Sequence, residues 1–351
     1  MAYTTINKST DYFNTKLYTG NGSAGNAITG VGFQPDWVWI KNRNSATEHS
    51  IFDAVRGATY RLASNNTDAQ SAQAAELTAF GSDGFTTGNA GGTNGSGNGI
   101  ASWNWKANGT GSSNTDGSIN TTYTSANTTS GFSISTYTGT GSAGTIGHGL
   151  GVAPAMIIVK RLTGSAEAWT VYHQSLDASA PQDKYLHLNS TDAVMDSAGM
   201  WNDTAPTTSV FSVGSTGVTN GSGGTFVAYC FAEKTGFSKF GSYTGNGNAD
   251  GSFIYTGFKP AFVMIKATGQ TEQWYIMDTK RPGYNTNNYY LKANATDAEG
   301  TSATLAMSLL SNGFKINNND SSMNTSGQGY IYMAFAEAPL VGSNNVPANA
   351  R

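Results

Sequence analysis

One phrase is spelled three times along the chain, and it limits the fold more than any other feature. It reads Gly32-Phe33-Gln34-Pro35-Asp36-Trp37-Val38-Trp39-Ile40-Lys41, and it returns from Gly151 to Lys160 and from Gly257 to Lys266. Each copy is a turn closed by Pro35, Pro154 or Pro260, then five residues, all apolar but for Asp36 in the first copy, then lysine. Proline donates no ladder hydrogen bond, so it belongs at or just before the first residue of a strand. The apolar run is too short for a helix and rich in β-branched residues, which predicts a strand buried on both faces. Val38 and Ile40 have Val or Ile counterparts throughout, whereas Trp37 and Trp39 answer to Met, Ile and Phe. Side chains alternate across a strand, so one face meets a tight aliphatic core and the other a bulkier layer. Lys41, Lys160 and Lys266 share the parity of the bulky face, and the expectation is that they snorkel from it to water.

The repeat period is about 105–120 residues, beyond that of solenoids, so the copies are tandem domains. Each opens on Tyr18-Thr19-Gly20, Tyr137-Thr138-Gly139 or Tyr243-Thr244-Gly245, a strand running into a glycine turn. A third phrase holds Asn66-Thr67-Asp68-Ala69, Ser190-Thr191-Asp192-Ala193 and Ala295-Thr296-Asp297-Ala298. Thr-Asp before alanine reads as a helix N-cap, predicting short helices over 70–77 and 302–310 and at most a turn in the middle copy. Each unit closes on a strand, with Trp103 and Trp105 matched by Tyr229 and Phe231 and by Met333 and Phe335. Cys230 lies on the small-residue face of that strand and reads as core.

The expected architecture is all-β: three tandem jelly-roll-like β-sandwich domains with at most one short helix each. Their boundaries fall at 17–106, 132–235 and 236–338. Residues 1–16 form an N-terminal docking arm, in which Tyr3, Ile6, Tyr12 and Phe13 are the candidate contacts, and 339–351 a C-terminal tail. The stretch 107–131 suits either a flexible linker or an extra strand, with Ile119 and Tyr123 arguing for the strand. The second and third units meet with almost no spacer at Lys234-Thr235-Gly236-Phe237, so they should stack rigidly.

Composition narrows function. With 44 glycines, 12% charged and 38% hydrophobic residues, the chain has the profile of a turn-rich β protein. A net charge of −3 supplies no basic footprint for nucleic acid. One cysteine allows no intramolecular disulfide, and no apolar run reaches the length of a membrane span. The first residues lack a secretory apolar segment, so assembly in a cytoplasm is expected.

Chemistry leaves few signatures. His49, His148, His173 and His187 form no zinc motif, and neither a nucleophile elbow nor a complete phosphate loop occurs. Asp53 with Arg56 and Asp278 with Arg281 recur in two units, which fits a structural ion pair or a turn better than an active site. The loops 246–250 and 317–320 carry the oxygen chemistry of calcium, but no repeated ligand spacing accompanies them, and Asx turns explain the same residues. No cofactor is called for. Trp201, Tyr284 and Tyr289 are the candidate glycan contacts, with Trp169, Trp274 and Tyr290 as further aromatics to weigh.

Several long phrases carry a resemblance. They are Asp11-Tyr12-Phe13-Asn14-Thr15-Lys16-Leu17-Tyr18, Gly147-His148-Gly149-Leu150-Gly151, Trp201-Asn202-Asp203-Thr204, Ala228-Tyr229-Cys230-Phe231-Ala232-Glu233 and Tyr330-Ile331-Tyr332-Met333-Ala334-Phe335. Together with the repeated phrase, they resemble repeat-bearing bacteriophage virion proteins, tail-fibre-like structural proteins of phages of marine bacteria. The resemblance covers essentially the whole chain and implies a non-enzymatic virion component. The expected roles are, first, a tail-fibre or appendage protein touching host-surface glycan. The alternatives are a head fibre or capsid decoration protein bound to other virion proteins, and a polysaccharide depolymerase. Homo-oligomerisation, to a trimer, would cover exposed sheet edges.

Overall fold

The computed structural model describes residues 3–282 and 285–341. The three copies of the proline phrase start equivalent strands, Trp37–Asn42, Met156–Arg161 and the later part of Phe258–Ala267. Each lies near the middle of a large antiparallel sheet. In the first unit the order across that sheet is Phe13–Thr19, Gly99–Trp105, Trp37–Asn42, Ser50–Asp53, Gly57–Leu62 and Ser71–Ala72. The third unit repeats it with Ser238–Thr244, Gly329–Pro339, Phe258–Ala267, Tyr275–Asp278, Tyr289–Lys292 and Gly300–Thr301. The second unit has the same six, beginning at Phe132–Thr138, and gains Thr121–Asn127 outside it. The stretch after residue 107 therefore supplies an extra strand.

A smaller sheet covers the outer face of each large one. Its strands are Asn26–Thr29, Gly84–Thr87 and Leu77–Gly81 in the first unit, and Phe253–Tyr255, Gly313–Ile316 and Met307–Leu310 in the third. The second unit has two strands there, Gly144–Gly147 and Val210–Val213. The chain passes from large sheet to small and back, and its last strand inserts between the first and third, which makes each unit a jelly-roll-like sandwich. The α-helices among the described residues are single turns, Gly91–Asn94, Ala198–Trp201, Gly217–Asn220 and Ser321–Asn324. The middle unit thus holds two, one more than expected. The helices expected after the Thr-Asp phrases do not form. Residues 71–72 and 77–81 are strand, and Ser302 caps only the 3-10 turn Ala303–Leu305 before strand Met307–Leu310.

The two faces of the repeated strand have distinct partners. Val38 and Ile40 face the small sheet and pack with Ile28, Phe85 and Leu77 inside their own unit. Trp37 and Trp39 face inward and join a core shared by all three units. There the rings of Trp37 and Tyr229 stack at 4.8 Å, while Phe335 meets Trp105 at 5.6 Å and Phe231 at 6.1 Å. Trp105, Phe231 and Phe335 are the same position of the closing strand in the three units. The large sheets therefore surround a common aromatic centre, and the first unit touches the third as well as the second. The chain is a closed ring of three units rather than a row.

The N-terminal arm seals the junction that closes this ring. Ile6 and Phe13 are buried in the shared core, and Phe13 stacks on Phe335 at 5.0 Å. Tyr12 packs edge-on against Phe237, and the Tyr3 hydroxyl donates to the Gly257 carbonyl at 2.8 Å. The arm contacts expected to dock on a partner are thus spent within the chain, because apolar groups this large stay dry only against the third unit. At the other end, the last strand runs to Pro339, beyond the expected limit of the domain. The rest of the expected tail, from residue 342, lies outside the described residues. Among the described residues no helix is long and apolar enough to cross a membrane.

Candidate functional site

The polar side chains that drew notice in the sequence gather at the seams between units. Lys41, Lys160 and Lys266 are fully buried, so they do not snorkel to water. Lys160 Nζ donates to the Thr67 carbonyl of the first unit at 2.8 Å, and Lys266 Nζ to the Thr191 carbonyl of the second at 3.2 Å. Lys41 bonds the Asn42 and Ser45 carbonyls and feels the charge of Asp297 in the third unit. The Thr-Asp phrases of the first and second units therefore receive the next unit's lysine, while the third unit's reaches Lys41 only through the charge of Asp297. Burial pulls all three amines down to about 8, with a nearby carboxylate opposing the shift.

Two further seams repeat around the ring. The main-chain N–H of Gln70 donates to the Leu162 carbonyl, that of Val194 to Thr268, and that of Glu299 to Arg43. The indole of Trp169 donates to the Ala63 carbonyl at 2.8 Å, and that of Trp274 to His187 at 3.0 Å. His49 stands in the same place in the first unit. Its Nδ1 accepts from Trp39 Nε1 at 2.8 Å, which leaves Nε2 to donate to the Lys292 carbonyl at 3.0 Å. Burial drives the His49 imidazole down to about 3 and that of His173 to about 4, so both are neutral.

Asp53 and Asp278 are buried ion pairs, as their spacing implied. Arg56 Nε lies 2.5 Å from Asp53 and Arg281 Nε 2.6 Å from Asp278, with neither pair reaching water. Each carboxylate also accepts from the neighbouring unit, Asp53 from the Tyr229 hydroxyl at 2.7 Å and Asp278 from Trp103 Nε1 at 3.1 Å. With arginine, backbone amide and aromatic donor all on one carboxylate, these groups are braces across a seam.

One recurring motif escaped the sequence reading, although Asn94-Gly95-Ser96-Gly97 returns at Asn220 and, with threonine second, at Asn324. The asparagine ends a helical turn and ties it to the opening glycine turn of its unit. Asn94 Oδ1 accepts from the Asn21 N–H at 2.9 Å, and its Nδ2 donates to the Gly88 carbonyl at 2.7 Å. The opening tyrosine completes the tie, with the Tyr18, Tyr137 and Tyr243 hydroxyls donating to Thr93, Thr219 and Met323 carbonyls. Any Cβ on Gly20 would lie 2.2 Å from the Gly95 carbonyl, which is why that turn needs glycine.

The candidate glycan aromatics fare differently. Trp201 is 2% exposed and packs edge-on against Tyr172 in the core of the second unit, so its ring face is not offered to a sugar. Trp169 and Trp274 are buried at the seams. Tyr289 is half-buried on strand Tyr289–Lys292, and Tyr290 packs on Tyr275. Tyr284 lies outside the described residues. The loop from Asn246 is an Asx turn, with its amide tied to Asn324 and Asp250 paired to Lys315. In the other acidic loop, Asn318 accepts from the Asp320 N–H and Asp320 caps the turn through Ser322 N–H. Among the described residues no three His, Cys, Asp or Glu side chains converge.

What the outer surface does present is an aromatic pair that sequence reasoning passed over. Phe253 and Tyr255 are 47% and 52% exposed and point outward from the edge strand of the third unit, either side of buried Ile254. Their equivalents are Ala27 and Thr29 in the first unit and Thr145 and Gly147 in the second. Tyr3 lies beside Tyr255, and Lys315, paired to Asp250, stands opposite Phe253.

A family model described as a domain of unknown function, DUF7483, matches residues 8–339. The chain belongs to that family. The match runs through all three units, so the DUF7483 domain is the whole ring and not a single sandwich. A search of curated proteins finds no match to the chain.

Proposed function

We propose that this DUF7483 protein is a non-enzymatic structural component of a bacteriophage virion, a tail-fibre or appendage protein that contacts the host surface. The single observation that carries the reading is the Phe253–Tyr255 pair. Exposed aromatics on a free edge lose nothing to the fold if replaced by small residues, and the two sister units have small residues there. Flat rings flanked by the Lys315–Asp250 pair suit stacking on a sugar ring with its hydroxyls held at the rim. The carboxylates and histidines of the seams are occupied by bracing, which favours a presenting surface over the depolymerase alternative. A ring of three units supplies within one chain the threefold body that trimerisation would otherwise build, so the protein acts as a preformed head on its appendage.

Host cells or their purified surface glycans provide the test. Binding that falls at least about tenfold in Phe253→Ala/Tyr255→Ala, with the fold unchanged, supports the reading. Binding equal in the variant and the parent removes the pair from the account. If the parent binds capsid and ignores host envelope, the decoration role replaces the appendage role.

A further inference from the structure

The exposed aromatic row of the third unit does not end at Tyr255. Side chains two apart on a strand share a face, so position 257 would be next in line, and it is glycine. Its place is filled from elsewhere. The Tyr3 hydroxyl donates to the Gly257 carbonyl at 2.8 Å and lies 2.5 Å from where a Cβ on Gly257 would stand. Gly257 has a φ of +81°, a left-handed conformation that glycine adopts without strain. The Tyr255 hydroxyl is 3.6 Å from the same point and hydrogen-bonds Tyr3. Burial, together with that neighbour, pushes the Tyr3 phenol up to about 12, so it keeps its proton. The proton goes to Gly257, and the oxygen is left to accept from Tyr255.

The sister units lack this arrangement. Gly32 and Gly151 hold the same place, three residues before Pro35 and Pro154. A Cβ on Gly32 would meet only the Thr10 carbonyl, and one on Gly151 nothing within 4 Å. The arm that brings Tyr3 to the third unit is fixed behind it. Thr4 packs on Gly236, its hydroxyl accepts from the Ile6 N–H at 3.0 Å, and Ile6 is buried in the shared core. A tyrosine ring on a free edge samples several rotamers, and a ligand that stacks on it must first order it. Tied at its hydroxyl as well as its backbone, Tyr255 is ordered beforehand. Phe253 and Tyr255 stand about 7 Å apart along the strand, so one sugar ring stacks on one of them and a chain of sugars covers both.

We propose that the amino-terminal arm completes the glycan site of the third unit: Tyr3 is a positioning residue that fixes the Tyr255 ring, and the ligand is an extended chain of sugar residues lying along Phe253–Tyr255. This inference rests on the host-contact reading and adds to it the class of glycan and the segment that prepares the site. Ring closure and ligand binding are thereby joined, since the arm that seals the junction of the first and third units also holds Tyr255.

The probe is the surface polysaccharide of the host cells, cut by mild acid into monomer and longer-chain fractions and added to the full chain. Longer chains should bind at least about tenfold more tightly than monomers, because only they stack on both rings. Tyr3→Phe should weaken binding of the longer chains about threefold to tenfold, with the melting temperature unchanged. In a Tyr255→Phe background, Tyr3→Phe should have no further effect, because the hydroxyl it holds is gone. Equal binding by Tyr3→Phe and the parent overturns the positioning role, as does an effect that adds fully to that of Tyr255→Phe. Monomers that bind as tightly as the chains overturn the extended ligand. Those results leave the host-contact reading standing, whereas a parent that binds no fraction removes that reading and this inference together.

Discussion

The inner and outer sheets of each unit began from one pattern and have kept it to different degrees. On the inner side, Lys41, Lys160 and Lys266 hold equivalent buried places, and Gln70, Val194 and Glu299 bond equivalent carbonyls of the next unit. On the outer side, among the described residues, the second unit has two strands where its sisters have three, and the third carries the exposed Phe253 and Tyr255. Inner positions touch two units at once, so a change there strains a seam as well as a sandwich. Outer positions answer to one unit and to solvent, and variation there is cheap. Repetition therefore reports the ring, while its failures report what the ring is for.

The comparison breaks most severely at the braces. Asp278→Ala leaves Arg281 with Glu299 as its remaining carboxylate and the Trp103 indole without an acceptor, and should cost about 3 kcal/mol. Urea unfolding would read the loss, and an effect confined to probes in the third unit would show that the seams do not couple. Asn324→Ala removes one tie between turns of a single unit and should cost about 1–3 kcal/mol by the same measurement.

The pH profile sharpens the contrast, because the titrating groups lie on the inner side. The buried lysines have pKa values of about 8 in the fold and near 10.5 unfolded, so the unfolded chain holds more protons between these limits. Stability should rise from pH 8 to about pH 9, above which the buried tyrosines and Cys230, held protonated by the fold, oppose it, and Lys160→Met should flatten that rise. His49 and His173 work in the opposite range. They stay neutral in the fold down to about 3 and about 4, so stability should fall as pH drops below about 6.5. Melting temperatures across pH 4–10 check both slopes. Smallest of all, Phe253→Ala/Tyr255→Ala should move stability by no more than about 0.5 kcal/mol, in line with other exposed positions.

The repeated strand, its alternating faces and the sandwich class were legible because alternation within a short apolar run is a local signal. What each face met was not. Trp37 and Val38 are both apolar, and nothing local says that one faces a sister unit and the other its own small sheet. The same gap misled the reading of Lys41, Lys160 and Lys266, since a lysine ending a bulky face snorkels unless a distant carbonyl receives it. Thr67-Asp68 looked like a helix cap because the residues that cap helices also make Asx turns, and the deciding contact comes from Lys160, far along the chain. The ion pairs were readable from a spacing of three. The Asn94 motif could have been found by the search that found the proline phrase. Phe253 and Tyr255 could not, because an aromatic in a strand is usually core, and only placement on an outer edge shows otherwise.

Small-angle X-ray scattering of the purified chain tests the closed ring most directly. A compact body of 351 residues has a radius of gyration of about 20 Å, which is the value expected for the monomer. Three sandwiches in a row would give about 30 Å, and that result would contradict the shared aromatic centre on which the whole account rests.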